Sequence, residues 1–207
     1  LITAGGGVAL LVGLAIIARV TGSTDLNHVL TCGAMLREHE LYPVMLTLVL
    51  IGAFTKSAQV PFHIWLPDGM TAPTPASAFL HSATMVKAGI YLLARLNPAL
   101  GMTEPWFWSL SLVGGLTMLL GAFLGLRAFD LKGLLAYSTI SQLGALVMLV
   151  GQDSPVAYKA LAIGILAHAL YKSSLFMIVG IVDHETHTRD LRKLGGLARA
   201  DRKSTRL

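Results

Sequence analysis

The sequence predicts an all-α, polytopic membrane helix bundle of about six transmembrane helices, one of them broken by proline. Three observations carry this. Of 207 residues, 54% are hydrophobic and only 13% charged, with mean hydropathy +0.67; a soluble domain carries about 25% charged residues. Leu1–Ala18, Gly69–Val86, Pro105–Leu126 and Gly133–Gln152 contain no Asp, Glu, Lys or Arg. Each is near the ~20 residues that cross a ~30 Å hydrocarbon layer as a helix. The runs do not alternate apolar and polar residues, as barrel strands would.

The predicted spans cover about 4–20, 44–66, 76–96, 106–126, 133–151 and 158–182. The first closes on the polar, Gly-containing stretch TGSTDLNH (21–28). The second holds Lys56 between the apolar runs Pro43–Phe54 and Val60–Leu66, with Pro61 and Pro67 interrupting it. The third opens at Thr74 and Pro75 in TAPTP, a helix-start signal. LNPALGMTEP (96–105) separates the third span from the fourth, and GQDSP (151–155) the fifth from the sixth. In the fourth, GGLTMLLGAFLG (114–125) offers small residues for close helix packing. Trp65, Trp106 and Trp108 fall near span ends, where interfacial anchors lie.

The net charge is +5, concentrated after Val182 in Arg189, Arg192, Lys193, Arg199, Arg202, Lys203 and Arg206. With Arg127 and Lys132 on the same side, the positive-inside rule puts both ends in the cytoplasm. No aromatic interleaving accompanies the basic residues, so no nucleic-acid partner is expected. A single cysteine, Cys32, excludes an intramolecular disulfide and a thiolate cluster. HETH (184–187) lacks the HExxH spacing, and neither a metal site nor a cofactor is expected. LITAGGG resembles neither an ordinary start nor a signal peptide.

The chemistry lies inside the spans. Lys56, Lys87 and Lys172, with His81 and His168, occupy apolar segments. A lysine at the bilayer centre costs about 2.5–3.5 kcal/mol on insertion scales. All eleven acids sit in flanks or loops, so no carboxylate shares the lysines' depth. The lysines must then face water, or meet partners outside this chain. A desolvated lysine can exchange a proton near neutral pH, which suits a proton carrier. His168 and Lys172, four apart, share a helix face and fit a relay, with Ser173 and Ser174 adding hydroxyls. Pro61 lacks an N–H and crowds the carbonyl of Ser57. Under-bonded carbonyls at membrane depth need protein or water, which favours a hydrated pocket at Lys56, with Ser57 and Gln59 ordering waters.

The stretch FTKSAQVPFHIWLPDGMTAPTPASAFLHSATMVKAGIYLLARLNP, extended by DLKGLLAYSTISQLGALVMLVG and HALYKSSLFMIVGIVDHETHTRDLRKLGGL, resembles the antiporter-like subunits shared by respiratory complex I and the Mrp-type multisubunit sodium/proton antiporters. MVKAGIYLLAR and IVDHETHTRDLRKLGG are most similar to the large A-type subunit of the Mrp antiporter, with the L-type subunit of complex I second. The resemblance implies inverted five-helix repeats, each with one discontinuous helix. It lays Lys56 on the channel lysine before the break and His81 on the following helix in the first half-channel. His168 and Lys172 fall on the relay between half-channels, and Lys132 near the start of a second-repeat helix. The family's glutamate partner and second discontinuous helix are absent. The chain therefore reads as an internal fragment, with residues 1–197 the middle of the transmembrane domain and 198–207 a basic tail.

The expected function is a proton-translocating segment of one subunit of a sodium/proton antiporter, in the cell membrane. That makes it a transporter rather than an enzyme. Proton transfer falls to Lys56, His81, Lys87, His168, Lys172 and Lys132, with the helix break at Pro61 and Pro67. The expected partners are protons, sodium ions, the lipid bilayer and other membrane subunits of the complex. The alternative is a proton-pumping subunit of a complex I-type NADH:quinone oxidoreductase. A retinal-type protein would need one deep lysine and a seventh helix. A pure scaffold would tolerate Lys56→Ala.

Overall fold

Apolar runs without charge become long helices in the computed structural model, which describes residues 1–79 and 84–195. Among the described residues four helices are long and apolar enough to cross a membrane: α1 (Ile2–Thr21), α8 (Glu104–Arg127), α9 (Leu131–Gly151) and α10 (Pro155–Thr186). No strand forms among the described residues; the one β-bridge is an isolated pair. The two remaining predicted spans are interrupted. The first is α4 (Tyr42–Lys56), followed by 3-10 turns at Phe62–Ile64 and Gly69–Thr71 on either side of α5 (Trp65–Asp68). The second comprises α6 (Thr74–Ala78) and α7 (Met85–Leu100), the latter preceded by the non-helical Thr84 at φ −129°, where the sequence predicts a single span. His81 lies between them, outside the described residues.

The starts of the long helices follow local chemistry. Thr103, Asp130 and Ser154 cap α8, α9 and α10 by accepting backbone N–H bonds from Trp106, Gly133 and Ala157. The stretch after α1 holds two short helices the sequence does not announce, α2 (Leu26–Thr31), capped by Asp25, and α3 (Gly33–Glu38). Arg37 of α3 donates to the carbonyls of Pro98 and Gly101 at 3.2 and 3.3 Å. The Tyr42 hydroxyl donates to Leu100 O at 2.6 Å. Asp153 accepts from Asn97 Nδ2 at 2.7 Å and from Met102 N at 2.8 Å. These bonds gather the start of α4, the end of α7 and the α9–α10 turn at one end of the bundle.

Glycines set the closest approaches. A Cβ on Gly144 would stand 2.6 Å from Gly114 O and 2.5 Å from Met118 N, so α8 and α9 meet backbone to backbone, as the small residues predict. Around this seam lies a core that includes Leu36, Met45, Val49, Ile90, Leu93, Trp106 and Ile140. Trp106 is fully buried and is no interfacial anchor. Trp108, 53% exposed, fits that role. Outward faces of α8 and α10 stay apolar, with Leu116, Leu119, Ile163, Leu166 and Leu170 exposed. That is what a helix bordered by lipid or by other helices requires.

At the opposite end the chain after α10 folds back over the α8–α9 turn. Leu131 N donates to Arg189 O at 3.0 Å and Leu191 N to Phe129 O at 2.9 Å. The Arg189 guanidinium lies 3.3 Å from Asp130 and 3.9 Å from Asp183. Part of the predicted basic flank is thus ion-paired. Arg199, Arg202, Lys203 and Arg206 lie outside the described residues.

Candidate functional site

Buried polar side chains form two groups inside the apolar bundle. The first surrounds the break. α4 leaves helical geometry at Ser57, four residues before Pro61, where the proline ring would crowd the carbonyl. Ala58 then turns through the left-handed region at φ 49°. Pro67 falls in the first turn of α5, where an N–H has no helical partner, so its absence costs no bond. α4 thus ends ahead of Pro61, and Pro67 sits within the short α5 that follows.

Protein groups take up the Thr55 and Ser57 carbonyls that the break frees. Gln59 Nε2 donates to Ser57 O at 2.9 Å and Trp65 Nε1 to Thr55 O at 2.9 Å. The Val60 N–H donates to Thr117 Oγ1 on α8 at 3.0 Å, and Thr117 donates to Val113 O at 2.6 Å. The expectation that hydration satisfies Ser57 O is therefore corrected: a side-chain amide does it. Trp65, expected from its position to be an interfacial anchor, is instead a backbone clamp. Two other atoms remain open. The Ser57 hydroxyl and Gln59 Oε1 are buried without a hydrogen-bond partner, the pattern of a group awaiting water or an ion. Lys56 stands half-buried beside them. Lys132, expected near a helix edge, is only 4% exposed; its ammonium donates to Ala72 O at 3.2 Å, tying α9 to the end of the interrupted segment.

The second group is central. His168 and Lys172 lie on the buried face of α10, at 1% and 2% exposure, as their spacing predicts. Lys172 Nζ donates to Leu135 O at 3.1 Å and to Ser138 Oγ, both on α9. Ser173 and Ser174 do not reach it; their hydroxyls return to Leu170 O of their own helix at 3.0 and 3.1 Å. Neither ring nitrogen of His168 has a hydrogen-bond partner. Lys87, buried on α7, and Lys172 both act electrostatically on that ring. No Asp or Glu is buried among the described residues, in line with the placement of acids in the sequence. The two groups approach one another through α4 and α7: a Cβ on Gly89, two residues past Lys87, would stand 2.3 Å from Ser57 Oγ.

Sequence reasoning missed Ser138, Thr117 and the clamping role of Trp65. Ser138 carried a signal, because YSTIS (137–141) is the polar patch of a charge-free run. Among the described residues no three His, Cys, Asp or Glu side chains gather as metal ligands.

The family described as NADH:quinone oxidoreductase/Mrp antiporter, transmembrane, matches residues 1–204. The probable A/B subunit of a K(+)/H(+) antiporter of Rhizobium meliloti is 56% identical over 95% of this chain and 20% of its own length. The A-type subunit of the Na(+)/H(+) antiporter of Bacillus subtilis is 48% identical over 95% of this chain and 26% of its own length. A chain of the Mrp complex from Dietzia sp. DQ12-45-1b superposes with a TM-score of 0.91 at 48% identity, over 96% of this chain and 22% of that one. The chain thus spans about a quarter or less of the relatives it matches.

Proposed function

This chain belongs to the NADH:quinone oxidoreductase/Mrp antiporter transmembrane family, and from that premise we propose that it is the proton-conducting middle of one subunit of a cation/proton antiporter. The observation that carries the reading is the central group. Two lysines flank a histidine in an apolar interior that buries no carboxylate among the described residues. The Lys172 ammonium, held by a neutral carbonyl and a hydroxyl, keeps an exchangeable proton that a carboxylate would fix in place. Protons load Lys56 at the break and reach Lys87 by way of the open Ser57 and Gln59 oxygens and His81. They cross His168 to Lys172. Lys132 holds the interrupted helix in register with α9.

The relatives named above are called sodium/proton and potassium/proton antiporter subunits, which supports an alkali cation as the exchanged ion. The name of the Mrp complex supports other membrane subunits as partners. On this reading residues 1–197 lie in the cytoplasmic membrane with both ends in the cytoplasm, by the positive-inside rule, and 198–207 form a basic tail. A second reading, a proton-pumping subunit of a redox complex, draws on the family description, which names both kinds of protein.

The test is antiport by the complete complex in everted vesicles. Lys172→Ala and Lys56→Ala should each abolish dissipation of the pH gradient on adding sodium or potassium, with the complex still assembled. Undiminished flux in both variants refutes the proposal. Cation-dependent flux without a quinone reductase separates the antiporter from the redox pump.

A further inference from the structure

We propose that Ser138 is the positioning residue of Lys172, a hydroxyl that serves the lysine in both of its protonation states; this rests on the proton-conducting reading above. The two side chains share one helix carbonyl. Leu135 O is the i−4 acceptor of the α9 ladder at Thr139 N, and a carbonyl has a second lone pair. Three side-chain donors converge on it: Lys172 Nζ at 3.1 Å, Ser138 Oγ at 3.0 Å and Thr139 Oγ1 at 2.8 Å. Ser138 Oγ also accepts from Lys172 Nζ.

Two of the three N–H groups of the charged state are thereby placed. The ammonium gives one N–H to Leu135 O and one to Ser138 Oγ, while the serine hydroxyl turns its own hydrogen to Leu135 O. An ammonium has only donors, and a neutral amine gains one lone pair. When Lys172 has given up its proton, a hydroxyl able to rotate can turn its hydrogen to Nζ. Thr139 makes that rotation cheap, because it holds Leu135 O in either case. A carbonyl cannot reverse roles, and Ser173 and Ser174 are committed to Leu170 O. Ser138 is the one neighbour identified among the described residues that accepts from the amine when it is charged and can donate to it when it is neutral.

Among the described residues, the ionisable groups around Lys172 are few. On α10 they are His168, one turn away, and Tyr171, whose ring centroid lies 5.9 Å from Nζ. α7 brings Lys87, which acts on the His168 ring. α9 brings Lys132, engaged with Ala72 O, and Tyr137. α6 carries no ionisable side chain. None of these supplies a negative charge near neutral pH, so loss of one neutral oxygen falls on the charged state. Charge-assisted hydrogen bonds are about twice as strong as neutral ones, so removing the hydroxyl harms the ammonium more than the amine.

The experiment compares Ser138→Ala, Ser138→Thr and Lys172→Ala in the full antiporter complex, each normalised to assembled complex, across a pH series. Ser138→Ala should move the alkaline limb of the cation-dependent flux to lower pH by about one unit, roughly tenfold in proton affinity. Ser138→Thr, which keeps the hydroxyl, should restore the limb. Should Ser138→Ala fail to assemble, Ser138→Cys keeps the side-chain size with a weak acceptor and should shift the limb the same way. An unmoved profile in the hydroxyl-free variant overturns the role of Ser138; if Lys172→Ala then still abolishes flux, the proton-conducting reading survives. Unchanged flux in Lys172→Ala overturns both.

Discussion

Gly89→Ala should loosen the junction between the two polar groups and cut transport, because there is no room for a methyl where α4 crosses α7. The added Cβ would lie 2.3 Å from Ala53 O and 2.3 Å from Ser57 Oγ. The serine hydroxyl can rotate, but the Ala53 carbonyl belongs to the last turn of α4 and accepts the Ser57 N–H at 2.9 Å. Ordinary van der Waals contact begins at 3.4 Å, so the helices must part by about 1 Å. Overpacking of this kind costs about 1–3 kcal/mol, offset in part by up to about 1 kcal/mol from the better helix propensity of alanine. The displacement falls on Lys56 and Lys87 together, and a misplacement of about 1 Å can cost up to about 100-fold in a step that depends on alignment. Gly115→Ala is the matched control: its Cβ meets only Met148 Sδ, at 3.7 Å. The assay pairs thermal melting of the purified complex with cation-dependent flux in proteoliposomes. Gly89→Ala should melt lower and lose at least tenfold in flux, while Gly115→Ala does neither. Equal behaviour of the two variants would refute the geometry of the break.

Two further outcomes follow from the same architecture. Trp65→Phe keeps an aromatic ring but removes the N–H that serves Thr55 O, leaving a buried acceptor unmet at about 1–3 kcal/mol; a melting curve superimposable on the wild type would contradict the clamp. At the other end, the Arg192 guanidinium holds the Asp190 carboxyl down at about 2, against an ordinary 3.8. That pair sets the guanidinium over the ring of Phe129 in the α8–α9 turn, 4.7 Å from its centroid, so the depressed carboxyl stabilises the docked segment fully above its unfolded value and less as pH falls through its folded one. The distance between spin labels at Leu126 and Leu191 should therefore stay narrow down to about pH 4 and broaden only towards pH 2. Broadening already at pH 5 would count against that ion pair.

The boundaries of the long helices are legible in the sequence because their causes are local. Thr103, Asp130 and Ser154 sit where capping residues belong, and the apolar runs between them admit no other structure in lipid. The face shared by His168 and Lys172 is equally legible, since four residues return a helix to the same side. Interactions that return across space are not. Trp65 sits where anchors are common, yet its N–H is needed ten residues back by a carbonyl that the break orphans. A buried lysine suggests an acid, but the partner of Lys172 is a helix carbonyl with a spare lone pair, which no residue type announces. Helices α2 and α3 hide in a polar stretch, their apolar positions too few to show a period.

The choice of neutral oxygens around Lys172 has a consequence for direction. A carboxylate at Lys172 would leave the pair locked, since breaking a buried ion pair is far costlier than breaking a hydrogen bond. A carbonyl and a hydroxyl solvate the ammonium without cancelling its charge, so that charge still acts on His168, as does that of Lys87. Like charges in a desolvated interior disfavour each other's charged forms. On the proposed path the charges of Lys87 and Lys172 both oppose a resting charge on His168, so the ring hands a proton on rather than holding it. The clamps at Trp65, Thr117 and Lys132 matter for the same reason. Repulsion converts to handover only if the backbone holds the lysines at fixed separation; a break free to open would relax the repulsion instead of passing it on.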